Sequence, residues 1–312
     1  MDGRIKSGHD GSQSGEWVHS AMTPKSSLVA ILTVLAALLV IWYVGAVFMN
    51  MDLQRSLFQN ANNDQYSTAD LISGTLNQER PRLPAPHQIV AELNKSILHT
   101  APDSKRSLVY HATITLEATL LGFAIGSALG VFLSVLIVHL KSLDQSLMPW
   151  IVASQTIPII ALAPMIVVIL NQFDITGIVP KAVIAAYLSF FPVTVGMVKG
   201  LRSPDPLQMD LMRTYSASQW QTFFKLRLPA SVPFLFASFK VAIAAALIGA
   251  VVAEITKSED GGLGARLLAG SYYGQTIQIW AALLTAASVA AVLVIIVGLL
   301  ERSTGKLMGA RP

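Results

Sequence analysis

Acidic side chains inside long apolar stretches are the first candidates for chemistry, because a carboxylate inside a membrane is costly and often serves a function. Glu117 and Glu254 each lie in such a stretch. Neither has a partner residue at a spacing typical of paired catalytic carboxylates or of a nucleophile and its base. Both lie toward the end of their stretch, where water is close. An intramembrane enzyme is therefore disfavoured, and Glu254 stays a candidate for the polar lining of a pathway.

The sequence contains no motif for nucleotide binding or for metal binding. The chain has no cysteine, which excludes thiolate metal ligands and a cysteine nucleophile. The nearest fragment of a phosphate-binding loop is Gly305-Lys306, but Leu300 occupies the position of its first glycine and Leu307 follows the lysine. The histidines are scattered, at His9, His19, His87, His99, His111 and His139. We expect the chain itself to bind no cofactor and no metal.

A second group of polar candidates lies beside prolines in an apolar stretch. Pro158 and Pro164 interrupt the stretch Trp150–Leu170, and Gln155 and Thr156 come just before the first proline. A proline inside a helix removes a backbone hydrogen bond. In membranes such breaks occur where protein or water satisfies the freed carbonyl groups. Gln155, Thr156 and Pro158 are thus candidates for lining a pathway, and a purely structural kink is the open alternative.

The elements that must position these residues are membrane helices. The sequence is 53% hydrophobic and only 13% charged, whereas soluble domains carry about 25% charged residues. A bilayer needs roughly 20 apolar residues in a helix, and the apolar runs here do not alternate as barrel strands would. Six runs qualify: Leu28–Met49, Leu108–Val138, Trp150–Leu170, Pro180–Val198, Phe234–Ile255 and Ile277–Leu300. The predicted fold class is an all-α, polytopic membrane helix bundle with six transmembrane spans.

The remaining segments divide the chain into a core and its attachments. A stripe of Ile89, Leu93 and Ile97 predicts a short amphipathic helix on the outer side. In the second run, glycines recur every four residues from Gly122 to Gly130, which favours close packing within one subunit over a dimer surface. The predicted organisation is a disordered cytoplasmic tail (1–26), a first anchor (27–50), a periplasmic loop (51–107), a core (108–305) containing the cytoplasmic loop 199–233, and a cytoplasmic tail (306–312).

The basic residues of the short loops predict the orientation of the spans. Six spans place both termini on one side, and a surplus of Lys and Arg marks the cytoplasmic side. On the side of the termini, the residues that count are Lys25, Lys141, Lys199, Arg202, Arg213, Lys225, Arg227, Arg302, Lys306 and Arg311. The short loops of the other side hold only Lys257 and Arg266. We therefore expect both termini in the cytoplasm, with Lys181 and Lys240 snorkelling from span ends.

The loop between the fourth and fifth runs carries the densest functional signal. It mixes basic and aromatic side chains and ends at Pro229 and Pro233. A helix is predicted over Asp210–Ser216, and a second one begins at Gln219, where Trp220, Phe223 and Phe224 share a face. Such a protrusion suits docking onto a partner. An amphipathic helix resting on lipid headgroups explains the same pattern from physics alone.

A resemblance favours docking. The loop resembles the "EAA" loop of binding-protein-dependent ABC permeases, whose pattern is Glu-Ala-Ala, three residues, Gly, nine residues, then Ile-x-Leu-Pro. The matching positions here are Asp210, Leu211, Met212, Ser216, Leu226, Leu228 and Pro229. Asp replaces Glu, Leu-Met replaces Ala-Ala, and Ser replaces Gly. Further runs resemble the nitrate/sulfonate/taurine branch: Gln155–Pro164, Gly200–Pro206, Ile248–Ile255 and Gly261–Leu267.

The resemblance implies the permease subunit of an ATP-driven importer with a type I ABC importer fold, in the bacterial inner membrane. Its implied partners are a separate ABC ATPase that holds ATP and Mg²⁺, a periplasmic substrate-binding protein and a second permease, expected to be an identical copy; a nucleic-acid partner is not expected. The implied ATPase-coupling residues are Asp210, Arg213, Ser216, Ala217, Trp220, Phe223, Leu228 and Pro229. The solute is expected to be small and polar, with a lean toward vitamin precursors or pyrimidines. The alternative is a channel or secondary transporter that works without ATP.

Overall fold

The computed structural model describes residues 24–60 and 66–308, and within these residues the regular secondary structure is entirely helical. Its helices are α1 (Pro24–Asn60), α2 (Thr68–Leu76), α3 (Pro86–Leu98), α4 (Leu108–His139), α5 (Lys141–Ser154), α6 (Ile159–Gln172), α7 (Ile178–Leu201), α8 (Pro206–Thr214), α9 (Gln219–Thr222), α10 (Leu228–Thr256), α11 (Leu263–Tyr272) and α12 (Thr276–Leu307). A π-helical turn, Phe223–Arg227, joins α9 to α10.

Five of the helices are long and apolar enough to cross a membrane: α1, α4, α7, α10 with the turns before it, and α12. The pair α5 and α6 passes the same test together, although it is bent by 102°. The predicted all-α membrane bundle is confirmed, with a sixth crossing if this bent pair forms one span. The interruption predicted at Pro158 within Trp150–Leu170 is present, since α5 ends at Ser154 and α6 starts at Ile159; the one predicted at Pro164 is wrong, because α6 continues through that proline.

The first helix is longer than its apolar run. Its 37 residues extend about 55 Å at 1.5 Å per residue, well beyond a hydrocarbon core of about 30 Å. Residues 51–60, predicted as part of the outer loop, continue α1, because loss of hydropathy marks the membrane boundary and not the end of a helix. The predicted tail 1–26 lies outside the described residues, except that α1 already begins at Pro24.

The centre of the bundle is formed by α4, α7 and α10 packed face to face. The glycine stripe of α4 lies directly on α7: a Cβ on Gly126 would meet the Ala186 carbonyl oxygen at 2.7 Å, and one on Gly130 would meet that of Phe190 at 2.9 Å. Gly249 of α10 makes the same kind of approach to Ala185. The stripe therefore serves packing within the chain, as the sequence favours.

A buried polar network fixes α1 to the end of the bundle where α2 and α3 lie. The side chain of Asn50 is fully buried; its Nδ2 donates to the Leu83 carbonyl at 2.8 Å, and its Oδ1 accepts from the Arg82 backbone N–H at 2.8 Å. Thr276 donates to the Pro81 carbonyl, and the rings of Trp42 and Trp280 lie 4.9 Å apart. The segment 75–88 thus joins α1 to the start of α12.

Candidate functional site

The loop between α7 and α10 folds into a structured protrusion, residues 205–227, which we call the knob. Asp205 caps α8, its carboxylate accepting from the Leu207 N–H at 2.7 Å. Ser218 caps α9 through a capping box: its hydroxyl accepts from the Gln221 N–H at 3.2 Å, and the Gln221 side chain accepts from the Ser218 N–H at 2.8 Å. Both predicted helices are present, although the first spans Pro206–Thr214 and not Asp210–Ser216.

Ser216 holds the turn between the two helices in a left-handed conformation. Its φ is +53°. The Ala217 N–H bonds to the Met212 carbonyl at 3.0 Å and the Ser216 N–H to the Arg213 carbonyl at 2.8 Å, which is the hydrogen-bond pattern of a Schellman motif. Glycine is the usual residue at this position, so the structure gives a physical reason for the family glycine that Ser216 replaces.

The aromatic side chains of the knob divide into an exposed pair and a buried ring. Trp220 is 70% exposed and stacks on Phe224, which is 56% exposed, with 5.9 Å between ring centroids. Phe223 is buried against Met197 and Leu201 of α7. The prediction that Phe223 is a docking anchor is therefore wrong, because its ring packs inside the chain and cannot reach a partner. Phe224 takes its place on the exposed face.

Further apolar side chains extend this exposed surface along α8. Leu207, Leu211 and Tyr215 are 77%, 54% and 76% exposed. Asp210 pairs with Arg213 at 3.0 Å, an exposed contact that contributes little stability. A cavity of about 330 Å³ lies under the knob; its lining includes Val138, His139, Met209, Arg213, Ala217, Phe223 and Arg227. Leu228 and Pro229 are half-buried where α10 begins.

The break between α5 and α6 brings the other polar candidates together. Gln155, Thr156 and Pro158 all lie in it and are exposed. Tyr187 of α7 donates its hydroxyl hydrogen to the Ser154 carbonyl at 2.6 Å, which ties the break to the core. Pro164, by contrast, lies inside α6 without ending it.

Glu254 does not belong with these residues. It is completely buried, and its Oε2 accepts from the Thr115 hydroxyl and from the Gly264 N–H, both at 2.9 Å. The assignment of Glu254 to a pathway lining is wrong, as is the expectation that it lacks a partner. The partners come from helices far apart in the chain, so spacing in the sequence could not reveal them.

The carboxylate is one of three side-chain caps on the start of α11. The Gly262 N–H donates to His111 Nδ1 at 3.1 Å, and the Leu263 N–H donates to the Thr115 hydroxyl at 2.9 Å. Together with Gly264 and Glu254, this satisfies three successive N–H groups at a helix start, which have no partner inside a helix. We call residues 257–264 the latch loop; α4 and α10 hold it through these caps.

Lys181 of α7 holds the same loop from the third side. Its side chain is 2% exposed, and its Nζ donates to the Gly261 carbonyl at 3.3 Å, with Asp260 at 3.9 Å. The expectation that Lys181 snorkels to the surface is wrong, because these acceptors lie inside the protein. Lys240, in contrast, pairs with Glu301 at the partly exposed flank of α12. Among the residues that the structure describes, no group of three or more His, Cys, Asp or Glu side chains could hold a metal ion.

Comparison with known proteins assigns the chain to a family. Residues 100–306 match the family described as binding-protein-dependent transport system inner membrane component. The chain belongs to this family. The permease is therefore a multi-pass transport subunit of an ABC importer and not an enzyme, and its fold is that of a type I importer permease.

Individual relatives carry names with different solutes. The formylaminopyrimidine transport permease protein ThiX of Halalkalibacterium halodurans is 33% identical over 57% of this chain and 67% of its own length. The riboflavin transport system permease protein RibX of Chloroflexus aurantiacus is 31% identical over 62% of this chain and 70% of its own. The nitrate import permease protein NrtB of a Synechocystis species is 24% identical over 57% and 64%.

Proposed function

We propose that the knob couples this permease to a separate ATPase in the cytoplasm. Support comes from one observation above all: five large apolar side chains stay exposed on a capped, ordered protrusion. They are Leu207, Leu211, Tyr215, Trp220 and Phe224. Interfaces concentrate their binding energy in a few such aromatic anchors, and truncating one of them to alanine typically costs about 2 kcal/mol or more. The surplus of basic residues in the short loops on the side of the termini supports a cytoplasmic position for the knob and both termini.

The translocation pathway in this proposal lies between two identical copies of the permease, along the break of α5 and α6. A broken helix cannot face lipid, because the freed backbone groups would have no partner there. Gln155, Thr156 and Pro158 therefore face water or protein, and the apolar side chains beside them, such as Trp150 and Ile160, pack against the second copy. The break then gives a polar strip to a pathway that is otherwise apolar.

The proposed solute is a small heteroaromatic compound related to a vitamin or its pyrimidine precursor, delivered by a periplasmic binding protein. The names of two relatives at 33% and 31% identity, which refer to formylaminopyrimidine and riboflavin, support this class. The nitrate-named relative is less similar, at 24%. Uptake of labelled 4-amino-5-hydroxymethyl-2-methylpyrimidine and of riboflavin, each against nitrate, tests this assignment.

The coupling proposal is tested with the permease and its ATPase reconstituted in lipid nanodiscs. Trp220→Ala should lower both co-purification of the ATPase and the ATP hydrolysis stimulated by the solute-loaded binding protein, by about tenfold or more, while membrane yield stays normal. Leu307→Ala is the matched control: Leu307 is more exposed than Trp220 and lies at the same end of the bundle, outside the knob. It should leave both quantities unchanged.

Two results would count against coupling through the knob. Normal ATPase binding and stimulation by Trp220→Ala would remove the role of the exposed aromatic pair. A loss of membrane yield with unchanged ATPase binding would support the lipid-contact alternative instead.

A further inference from the structure

The cavity under the knob has no part in the proposed coupling, and we call it the knob cavity. Its volume is about 330 Å³, which is at the lower end of the range for pockets that bind small molecules. Its walls come from the end of α4, from α8 and from the π-helical turn. These three elements contribute Val138 and His139, Met209 and Arg213, and Phe223 and Arg227, respectively.

The knob cavity lies on the side of α8 that faces away from the exposed apolar surface. Leu207 and Leu211 are one turn apart on the exposed face, and Met209 and Arg213, which line the cavity, each follow two residues later. Two residues correspond to about 200° around a helix with 3.6 residues per turn. An ATPase seated on the exposed apolar surface therefore covers the opposite face of α8 and leaves the cavity for another ligand.

Every ionisable side chain that lines the knob cavity is basic: His139, Arg213 and Arg227. Arg227 is half-buried, and among the described residues no carboxylate lies within 4.0 Å of its guanidinium group. Arg213 pairs with Asp210, which does not line the cavity. A partly desolvated cation without an ion pair is costly, so the cavity favours an anionic ligand.

The wall around His139 and Phe223 indicates what this anion carries. His139 Nδ1 donates to the Val135 carbonyl at 2.8 Å, which leaves Nε2 for a ligand. The rings of His139 and Phe223 pack edge to face with 5.2 Å between their centroids. Phe223, Val138 and Met209 form an apolar wall beside the cations, so the cavity suits an anionic group attached to a small aromatic group.

We infer that the knob cavity binds a small phosphate monoester whose organic part is an aromatic ring. The guanidinium groups of Arg213 and Arg227 hold the phosphate, because a guanidinium offers parallel N–H donors to phosphate oxygens. Two arginines and a histidine match the charge of a monoester, close to −2, better than the single charge of a carboxylate or of a lipid phosphodiester. The ring of the ester packs against Phe223. A ligand in this position contacts the end of α4 and the knob together.

Calorimetric titration of the full-length permease in phosphatidylcholine nanodiscs tests this site, with phenyl phosphate as the probe. Phenyl phosphate should bind saturably below about 1 mM, and inorganic phosphate should bind roughly fivefold more weakly because it lacks the ring. Arg227→Gln should weaken the binding of phenyl phosphate by about tenfold or more, since it removes a charge-assisted hydrogen bond. Met209→Trp keeps every charge but fills the cavity, and it should weaken binding to the same extent.

Lys225→Gln is the matched control. Lys225 is an exposed cation of the same π-helical turn, but it does not line the cavity, so the dissociation constant should change by less than about twofold. Equal losses in Arg227→Gln and Lys225→Gln would overturn the site, because they would show attraction to basic charge in general. Unchanged binding by Met209→Trp would overturn it too, as would a wild-type permease that does not bind phenyl phosphate.

Two further measurements separate this ligand from other occupants of the cavity. Native mass spectrometry should show the same number of retained phospholipids with and without phenyl phosphate, and displacement of a phospholipid by the probe would assign the cavity to a lipid headgroup instead. Arg227→Gln should leave co-purification of the ATPase unchanged, and its loss would assign the cavity to the ATPase interface. A wild-type permease that binds no ATPase would refute the proposed function and leave the binding of phenyl phosphate as the test of this site.

Discussion

At the scale of single residues, two positions with positive φ show how backbone conformation and neighbouring side chains determine the structure of the knob and the latch loop. Ser216 occupies a left-handed turn in the knob with φ +53°, and Gly262 occupies the latch loop with φ +113°. In the first case a serine tolerates a conformation that favours glycine. In the second, a Cβ would overlap the buried carboxylate of Glu254. The two positions should therefore respond oppositely to substitution.

Ser216→Gly should stabilise the turn of the knob. The left-handed conformation costs a residue with a Cβ about 1 kcal/mol or more. Removing this cost makes local opening of the turn roughly fivefold rarer, so the Ala217 N–H should exchange with solvent roughly fivefold more slowly. Hydrogen exchange followed by mass spectrometry measures this directly. Ser216→Ala serves as the control and should show no slowing; slowing in both variants would show that the left-handed turn is not the cause.

Gly262→Ala should destabilise the permease by about 3 kcal/mol, because it adds an overlap with Glu254 to the strain of a positive φ. The measurement is the temperature at which half of the detergent-solubilised protein remains monodisperse. Gly274→Ala is the control: its φ is +65° but no atom lies within 4 Å of an added Cβ. Combining Gly262→Ala with Glu254→Ala should cost less than the sum of the two single changes. Equal midpoints for Gly262→Ala and Gly274→Ala would contradict the contact.

At the scale of elements, the bundle depends most on the packing of α4 against α7. Two long helices approach closely there because glycines remove the side chains between them. Gly126→Ala should lower the yield of folded protein, since its Cβ would lie 2.7 Å from the Ala186 carbonyl oxygen. Gly298→Ala in α12 is the control, because its nearest new contact is an ordinary 3.7 Å, and it should leave the yield unchanged or raise it. Equal yields for Gly126→Ala and Gly298→Ala would show that the close contact between α4 and α7 is not essential for folding.

Most helix positions were predictable from the local sequence. The contacts between distant parts of the chain were not, and the reason is physical. Apolar length located α4, α7, α10 and α12 to within a few residues, except at ends where polar residues continue the helix. The capping preference of serine located Ser218 as the N-cap of α9. The roles of Glu254 and Lys181 depend on contacts between distant parts of the chain, and no local pattern indicated them. The inward turn of Phe223 likewise depends on how the knob packs on α7.

At the scale of the whole molecule, the two ends of the bundle differ: the knob, which meets the ATPase in the proposed function, lies at one end, and the latch loop lies at the other. Because the chain has no cysteine, a single introduced thiol reports the side of the membrane. Ser271→Cys should react with an impermeant thiol reagent in spheroplasts, whereas Ser218→Cys should react only after the membrane is permeabilised. The reverse pattern would invert the proposed orientation.

The most direct test of coupling through the knob is a crosslink from its centre. A photo-reactive amino acid placed at Trp220 in native membranes should give an adduct with the ATPase subunit, because Trp220 is an exposed anchor in the proposed interface. The same group at Val241, an exposed residue in the middle of α10, should give lipid adducts and none with the ATPase. Lipid adducts alone at position 220, with the ATPase present in the membrane, would contradict the claim that the knob is the coupling element.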